Sequence, residues 1–159
     1  TAGDNPTIRQ TIKRNNVDSA IYVRSIVGSN YGKWQKIGAG LEFSVTPSSF
    51  TAGDFDITYT TTNNESRFEC KNNVALLSIA FQTNEEISTG TDIFILPTSL
   101  TINGETRTLD YGNKITNFNM TSSDGTVYPM YLGGGKNLRA RKIIPNNTNL
   151  RGSVTFIFD

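Results

Sequence analysis

Lys136, Arg139, Arg141 and Lys142 form the one basic cluster of the chain. Arg139 and Arg141 stand two apart, so on a β-strand both project from the same face. Paired guanidinium groups suit phosphate, including the polyanionic teichoic acids. The plainer alternatives are a solvated strand face or a salt bridge between subunits. Aromatic residues form the second candidate set. Trp34 is the only tryptophan. Its indole stacks on a sugar face if exposed, or pins the N-terminal segment if buried. Tyr111, Tyr128 and Tyr131 fall near the turns around Gly112 and Gly133. Tyr128 and Tyr131 have opposite strand parity, so a given face takes at most one of them. Each of the three either contacts ligand or packs within a sheet.

Catalytic equipment is thin. Histidine is absent and Cys70 is the only cysteine. That removes the commonest general base, the usual triad member, any intrachain disulfide and Cys/His zinc chemistry. Asp54 with Asp56 and Glu85 with Glu86 are the close carboxylate pairs. Glycoside hydrolysis needs two carboxyls facing each other across a sugar, which sequence neighbours seldom achieve. No Asp-x-Asp-x-Asp run with a closing Glu marks a calcium loop. Gly133-Gly134-Gly135-Lys136 lacks the spacing and the following helix of a phosphate loop, and reads as a flexible strand connection. The expectation is a protein with no catalytic residues, no metal and no cofactor.

These residues need a scaffold, and the composition points to strands. The chain has 159 residues, with 15 Lys and Arg against 14 Asp and Glu. That length suits one domain, or one domain with a short appendage. A near-neutral balance argues against nucleic acid and against a polybasic membrane surface. No apolar run reaches the ~20 residues of a membrane-spanning helix, so no membrane insertion is expected. The polar start Thr1-Ala2-Gly3-Asp4 is not a signal peptide. It has no initiator Met, as in a fragment of a longer chain. Asn, Thr and Ser are abundant, a bias towards strands and turns.

Short β-branched and aromatic runs separated by turn residues recur along the chain. Strands are expected over 21–27, 31–37, 41–46, 55–62, 67–70, 74–82, 92–96, 100–102, 106–109, 115–120, 126–132, 138–144 and 152–158. The most apolar run, Val74 to Gln82, could be read as a short helix. Its turn-like flanks favour a buried strand. Asn103-Gly104 is the strongest hairpin signal, and Ser122-Ser123-Asp124-Gly125 marks a second. In the last strand Val154, Phe156 and Phe158 share a face. The fold class is therefore all-β: an antiparallel β-sandwich or jelly-roll-like barrel over residues 41–159. A short N-terminal β-hairpin appendage or linker over 1–40 is too small to bury a core alone.

Two stretches carry a resemblance. Tyr22-Val23-Arg24-Ser25-Ile26 followed by Tyr31-Gly32-Lys33-Trp34-Gln35-Lys36-Ile37 resembles the end of the knob module of phage tail fibres and R-type pyocin fibres. The match covers residues 7 to 37. The remainder resembles the C-terminal heads of phage receptor-binding and baseplate proteins. It shares a Phe94-Ile95-Leu96-Pro97 strand end, an Asp124-Gly125 hairpin before Thr126-Val127-Tyr128, and a final strand over Gly152 to Phe156. The resemblance implies a homotrimer at the tail tip of an extracellular virion, joined to other tail proteins. It also implies attachment to bacterial cell-wall polysaccharide or teichoic acid. The candidate ligand residues are Trp34, Tyr111, Tyr128, Tyr131, Arg139 and Arg141. Three other readings stand beside it: a structural fibre or baseplate connector, a bacterial surface adhesin or pilin domain, and a glycan depolymerase. Leu96-Pro97-Thr98-Ser99-Leu100 lacks the Thr-Gly ending of a sorting signal, and size disfavours the depolymerase.

Overall fold

Along Val74–Thr83, Ala75, Leu77, Ile79, Phe81 and Thr83 are buried, while Leu76, Ser78 and Gln82 are partly exposed. That is a period of two, and the segment is a strand. The computed structural model describes residues 7–13, 21–37, 41–102 and 104–158. The chain is all-β, with antiparallel sheets that curl into a half-barrel.

One sheet holds β1 (Thr7–Lys13), β2 (Ile21–Val27), β3 (Asn30–Tyr31) and β4 (Gln35–Ile37). β2 pairs with β1 along one edge, and with β3 and β4 along the other. The single strand expected over 31–37 is thus split. The Gly32 N–H extends the β2–β3 register by bonding the Ser25 carbonyl at 2.8 Å, and the register then shifts by one residue before Gln35 meets Val23.

The larger sheet is built from β5 (Phe43–Val45), β6 (Thr51–Ala52), β7 (Ile57–Tyr59), β8 (Arg67–Lys71), β9 (Val74–Thr83) and β10 (Asp92–Ile95). A hairpin of β11 (Ser99–Ile102) and β12 (Glu105–Thr108) pairs only with itself. The large sheet resumes with β13 (Thr116–Ser122), β14 (Val127–Gly133), β15 (Asn137–Ala140) and β16 (Asn149–Ile157). Its order is β5-β8-β9-β16-β13-β14-β15-β10-β6, with β7 on β9 beside β8. The β11–β12 turn is the expected hairpin. Gly104 takes φ +83° there, and Asn103 lies outside the described residues. The strand expected over 138–144 stops at Ala140. Beyond it Ile144 bonds Ile87 through both its N–H and its C=O, at 3.0 and 2.8 Å. β6 is a strand that the sequence pattern did not suggest.

The inner face of this sheet carries the core, including Phe68, Leu77, Phe81, Phe94, Met120, Met130, Leu132 and Leu138. Each such side chain stabilises the fold by roughly 1.5–3 kcal/mol. Around Phe68, the rings of Phe43, Tyr111, Phe156 and Phe158 pack at centroid distances of 4.9–6.5 Å. Val154 and Phe158 are buried and Phe156 packs against them, so the last strand's apolar face is the inward one.

One polar device lies inside this core, and a second fixes a hairpin turn at the surface. β8 accompanies β9 as far as Ser78, and β7 takes over at Phe81. At the changeover the buried Ser66 hydroxyl accepts from the Ala80 N–H at 3.0 Å and donates to its carbonyl at 2.8 Å. At the β13–β14 turn, the Asp124 carboxylate accepts from the Ser122 hydroxyl at 2.5 Å and the Thr126 N–H at 2.9 Å.

Ser66→Ala leaves the buried Ala80 N–H without this partner. It is expected to lower stability by about 1–3 kcal/mol, read as a lower urea midpoint at unchanged slope. A midpoint equal to the parent's would remove Ser66 from this role. The Ser122 and Thr126 hydrogen bonds hold Asp124 below its usual carboxylate range. Its contribution is therefore fully present above the unfolded value of about 3.9 and fades as pH falls through the lower folded value. Asp124→Asn should flatten that part of the stability profile on the acid side of the unfolded carboxylate value. Two superimposable acid profiles would show that the hairpin does not depend on the charge.

Candidate functional site

Cross-strand register assembles a row of polar side chains on the outer face of the large sheet. Asn117 of β13 pairs with Tyr131 of β14, Tyr131 with Arg139 of β15, and Arg139 with Asp92 of β10. The alternating neighbours Met130, Leu138 and Ala140 point inward and are buried. One step along, Asn119 pairs with Pro129, and the Arg141 N–H bonds the Pro129 carbonyl at 2.9 Å. Arg139 and Arg141 therefore do share a face, as their spacing suggested.

The two arginines are held differently. Arg139 Nε donates to Asp92 Oδ1 at 2.5 Å, and Asn137 Nδ2 donates to Asp92 Oδ2 at 2.7 Å. The hydrogen bond to Asp92, and after it the one to Tyr131, hold the Arg139 guanidinium even more firmly protonated than usual. Arg141 is exposed. Its Nε and Nη2 both donate to Asn117 Oδ1, at 3.2 and 2.8 Å, and its Cζ lies 4.4 Å from the centre of the Tyr131 ring. Beside it runs a shallow groove of about 320 Å³, lined by Asn117, Phe118, Asn119, Pro129, Met130 and Arg141. This face offers amides, a guanidinium and an aromatic ring within one span.

The other candidates lie elsewhere. Tyr111 is a core residue: its hydroxyl donates to the Pro97 carbonyl at 2.7 Å, and burial pushes its pKa up. Tyr128 is also buried, on the inner-facing parity of β14, with Lys142 Nζ 5.2 Å from its ring centre. Trp34 is partly exposed on the first sheet, where Arg24 Cζ lies 4.5 Å from its ring. Of the six candidates, only Tyr131, Arg139 and Arg141 come together.

Asn117, Asn119 and Asp92 were missed. Parity was the available signal for the first two, since Asn117 and Asn119 alternate with Thr116, Phe118 and Met120 along one strand. Asp92 required the β10–β15 pairing, which is non-local. Cys70 is buried, and desolvation pushes its thiol up to about 11, away from nucleophilic use. Of the paired carboxylates, Glu85 accepts the Asp56 backbone N–H at 2.7 Å. Among the described residues no three Asp, Glu or Cys side chains gather into a metal-ligating group, and no helix is long and apolar enough to cross a membrane.

Comparison of the chain with protein-family models, with curated proteins and with solved structures gives no match.

Proposed function

We propose that this chain is a non-catalytic attachment module of a phage tail fibre or baseplate, binding a saccharide or teichoic acid on the bacterial surface. The observation that carries the binding role is Arg141. Its guanidinium rests on Tyr131 and is fixed by Asn117 beside an open groove. Sugar hydroxyls need donors and acceptors together, which Asn117 and Asn119 provide. A sugar's C–H face needs a rigid apolar surface, which Tyr131 and Pro129 provide. Arg141 adds a charge-assisted donor for a phosphate or carboxylate. Arg139 orients the face, since Asp92 already balances its charge. The phage part of the reading rests on the resemblance of the Tyr22–Ile37 and Phe94–Phe156 motifs.

The same reading makes the chain a homotrimer, joined to other tail proteins at the tail tip. β5 and β6 stand at the ends of the large sheet, and edge strands need cover.

Arg141→Ala should lower affinity for host cell walls roughly tenfold to a hundredfold, the loss of about 1.5–3 kcal/mol for one charge-assisted contact. Arg139→Ala should weaken binding less. A glycan array and a wall-adsorption assay on folded variants read both, and rising salt should depress binding to an anionic polymer. Wall adsorption by folded Arg141→Ala equal to the parent's would sink this site. Light scattering at micromolar concentration is expected to give three times the chain mass. A monomer would count against the trimer.

A further inference from the structure

The first sheet carries a second cluster that shares no residue with the outer face of β13–β15. Gln10 of β1 and Arg24 of β2 are direct cross-strand partners, and Arg24 Nε donates to Gln10 Oε1 at 2.7 Å. The turn after β2 and the break at residues 32–34 bring two rings to the same guanidinium. Arg24 Cζ lies 4.7 Å from the Tyr31 ring centre and 4.5 Å from that of Trp34. Tyr31 is 64% exposed and Trp34 38%. A groove of about 540 Å³ opens here, lined by Gln10, Thr11, Ile12, Arg24 and Trp34.

Three contacts orient this guanidinium before any ligand arrives. Two are cation–π contacts, which grow stronger as water is excluded. The third occupies Nε alone. Among the described residues, the side-chain partner of Arg24 is the neutral Gln10 amide, and no carboxylate pairs with it. Its two terminal nitrogens carry parallel N–H donors, the fork that matches a planar carboxylate. The rings beside it supply the flat apolar surface that a pyranose C–H face packs on. The Gln10 amide borders the same groove and serves sugar hydroxyls.

We propose that Gln10, Arg24, Tyr31 and Trp34 form a binding site for a carboxylate-bearing saccharide, a uronic-acid unit of an acidic polysaccharide. Arg24 takes the carboxylate, and Trp34 with Tyr31 takes the sugar ring. The site stands or falls independently of Arg141.

Trp34 is the only tryptophan, so intrinsic fluorescence of the full chain reads this site directly. Trigalacturonate is the probe, with its methyl ester, acetate and inorganic phosphate as comparisons. A saturable change with trigalacturonate is expected, about tenfold weaker with the ester, which has lost the charge-assisted contact. Arg24→Gln should weaken trigalacturonate to the same extent, and Arg141→Ala should leave it unchanged. Arg24→Lys keeps the charge but loses the fork, so it should also weaken binding, which covers the case of a misfolded glutamine variant. No saturable change, equal binding of the ester or of inorganic phosphate, or full binding by a folded Arg24 variant would each overturn the proposal.

Discussion

The backbone of β9 must be satisfied along both edges, and the rest of the large sheet depends on how this is done. β16 covers one edge from Gln82 to Val74. The other edge is shared, β8 taking Val74 to Ser78 and β7 taking Phe81 to Thr83. Buried amides left between them would each cost free energy comparable to a lost hydrogen bond. The Ser66 hydroxyl closes that gap at Ala80, and the Thr60 N–H bonds the same carbonyl at 2.8 Å. At the strand's end Thr83 is fully buried, and its hydroxyl is satisfied by the Pro145 carbonyl and the Thr148 N–H, at 2.7 and 2.9 Å. With both edges fixed, a one-residue slip of β16 would turn Leu150, Val154 and Phe158 out to solvent. Register is therefore specified by burial as well as by hydrogen bonds.

That register reaches the outer face through the core. Phe156 near the end of β16 and Phe158 just beyond it pack on Tyr111, with ring centroids 6.1 and 5.1 Å away. Tyr111 in turn packs against the β14–β15 turn. Gly135 has φ +74°, and a Cβ there would sit 2.5 Å from Tyr111 Cβ and 2.7 Å from its carbonyl oxygen. Only glycine meets both demands. The glycine run is thus a tight turn seated on a core tyrosine, not a loose connection. Its geometry sets Tyr131 opposite Arg139. Tyr111, a ligand candidate on sequence grounds, instead supports the face that Tyr131, Arg139 and Arg141 form.

Most of the fold was legible because its signals are local. Alternation marked β16, turn-like flanks marked β9, and turn residues marked both hairpins. What the sequence could not supply was partnership across the chain. The segment 138–144 has strand character throughout, yet its last part pairs with Ile87, more than fifty positions upstream, and so leaves β15. Tyr31 to Ile37 reads as one strand, but its register on β2 shifts by one residue between Tyr31 and Gln35, and residues 32–34 absorb the shift. The site was legible only as far as parity goes. Parity put Arg139 beside Arg141 and separated Tyr128 from Tyr131. It could not reveal that Asp92 would lie against Arg139, or that Asn117 would capture Arg141.

That difference changes the chemistry of the basic cluster. Read in sequence, Arg139 and Arg141 are equivalent cations spaced for successive phosphates. In the fold, Asp92 and Asn137 make Arg139 part of a closed network, so its field is largely cancelled at the surface. A half-buried, solvent-accessible ion pair of this kind contributes on the order of 1 kcal/mol to stability, so its main effect is orientation. It holds Arg139 along the sheet, away from the groove beside Arg141. Arg141 is held instead by a neutral amide and an aromatic ring, and among the described residues no carboxylate pairs with it. A surface with one ordered cation, two asparagines and a ring favours a ligand whose charges are sparse and whose hydroxyls are many. On the proposed reading, a hydroxyl-bearing polymer with spaced phosphates or carboxylates has that pattern.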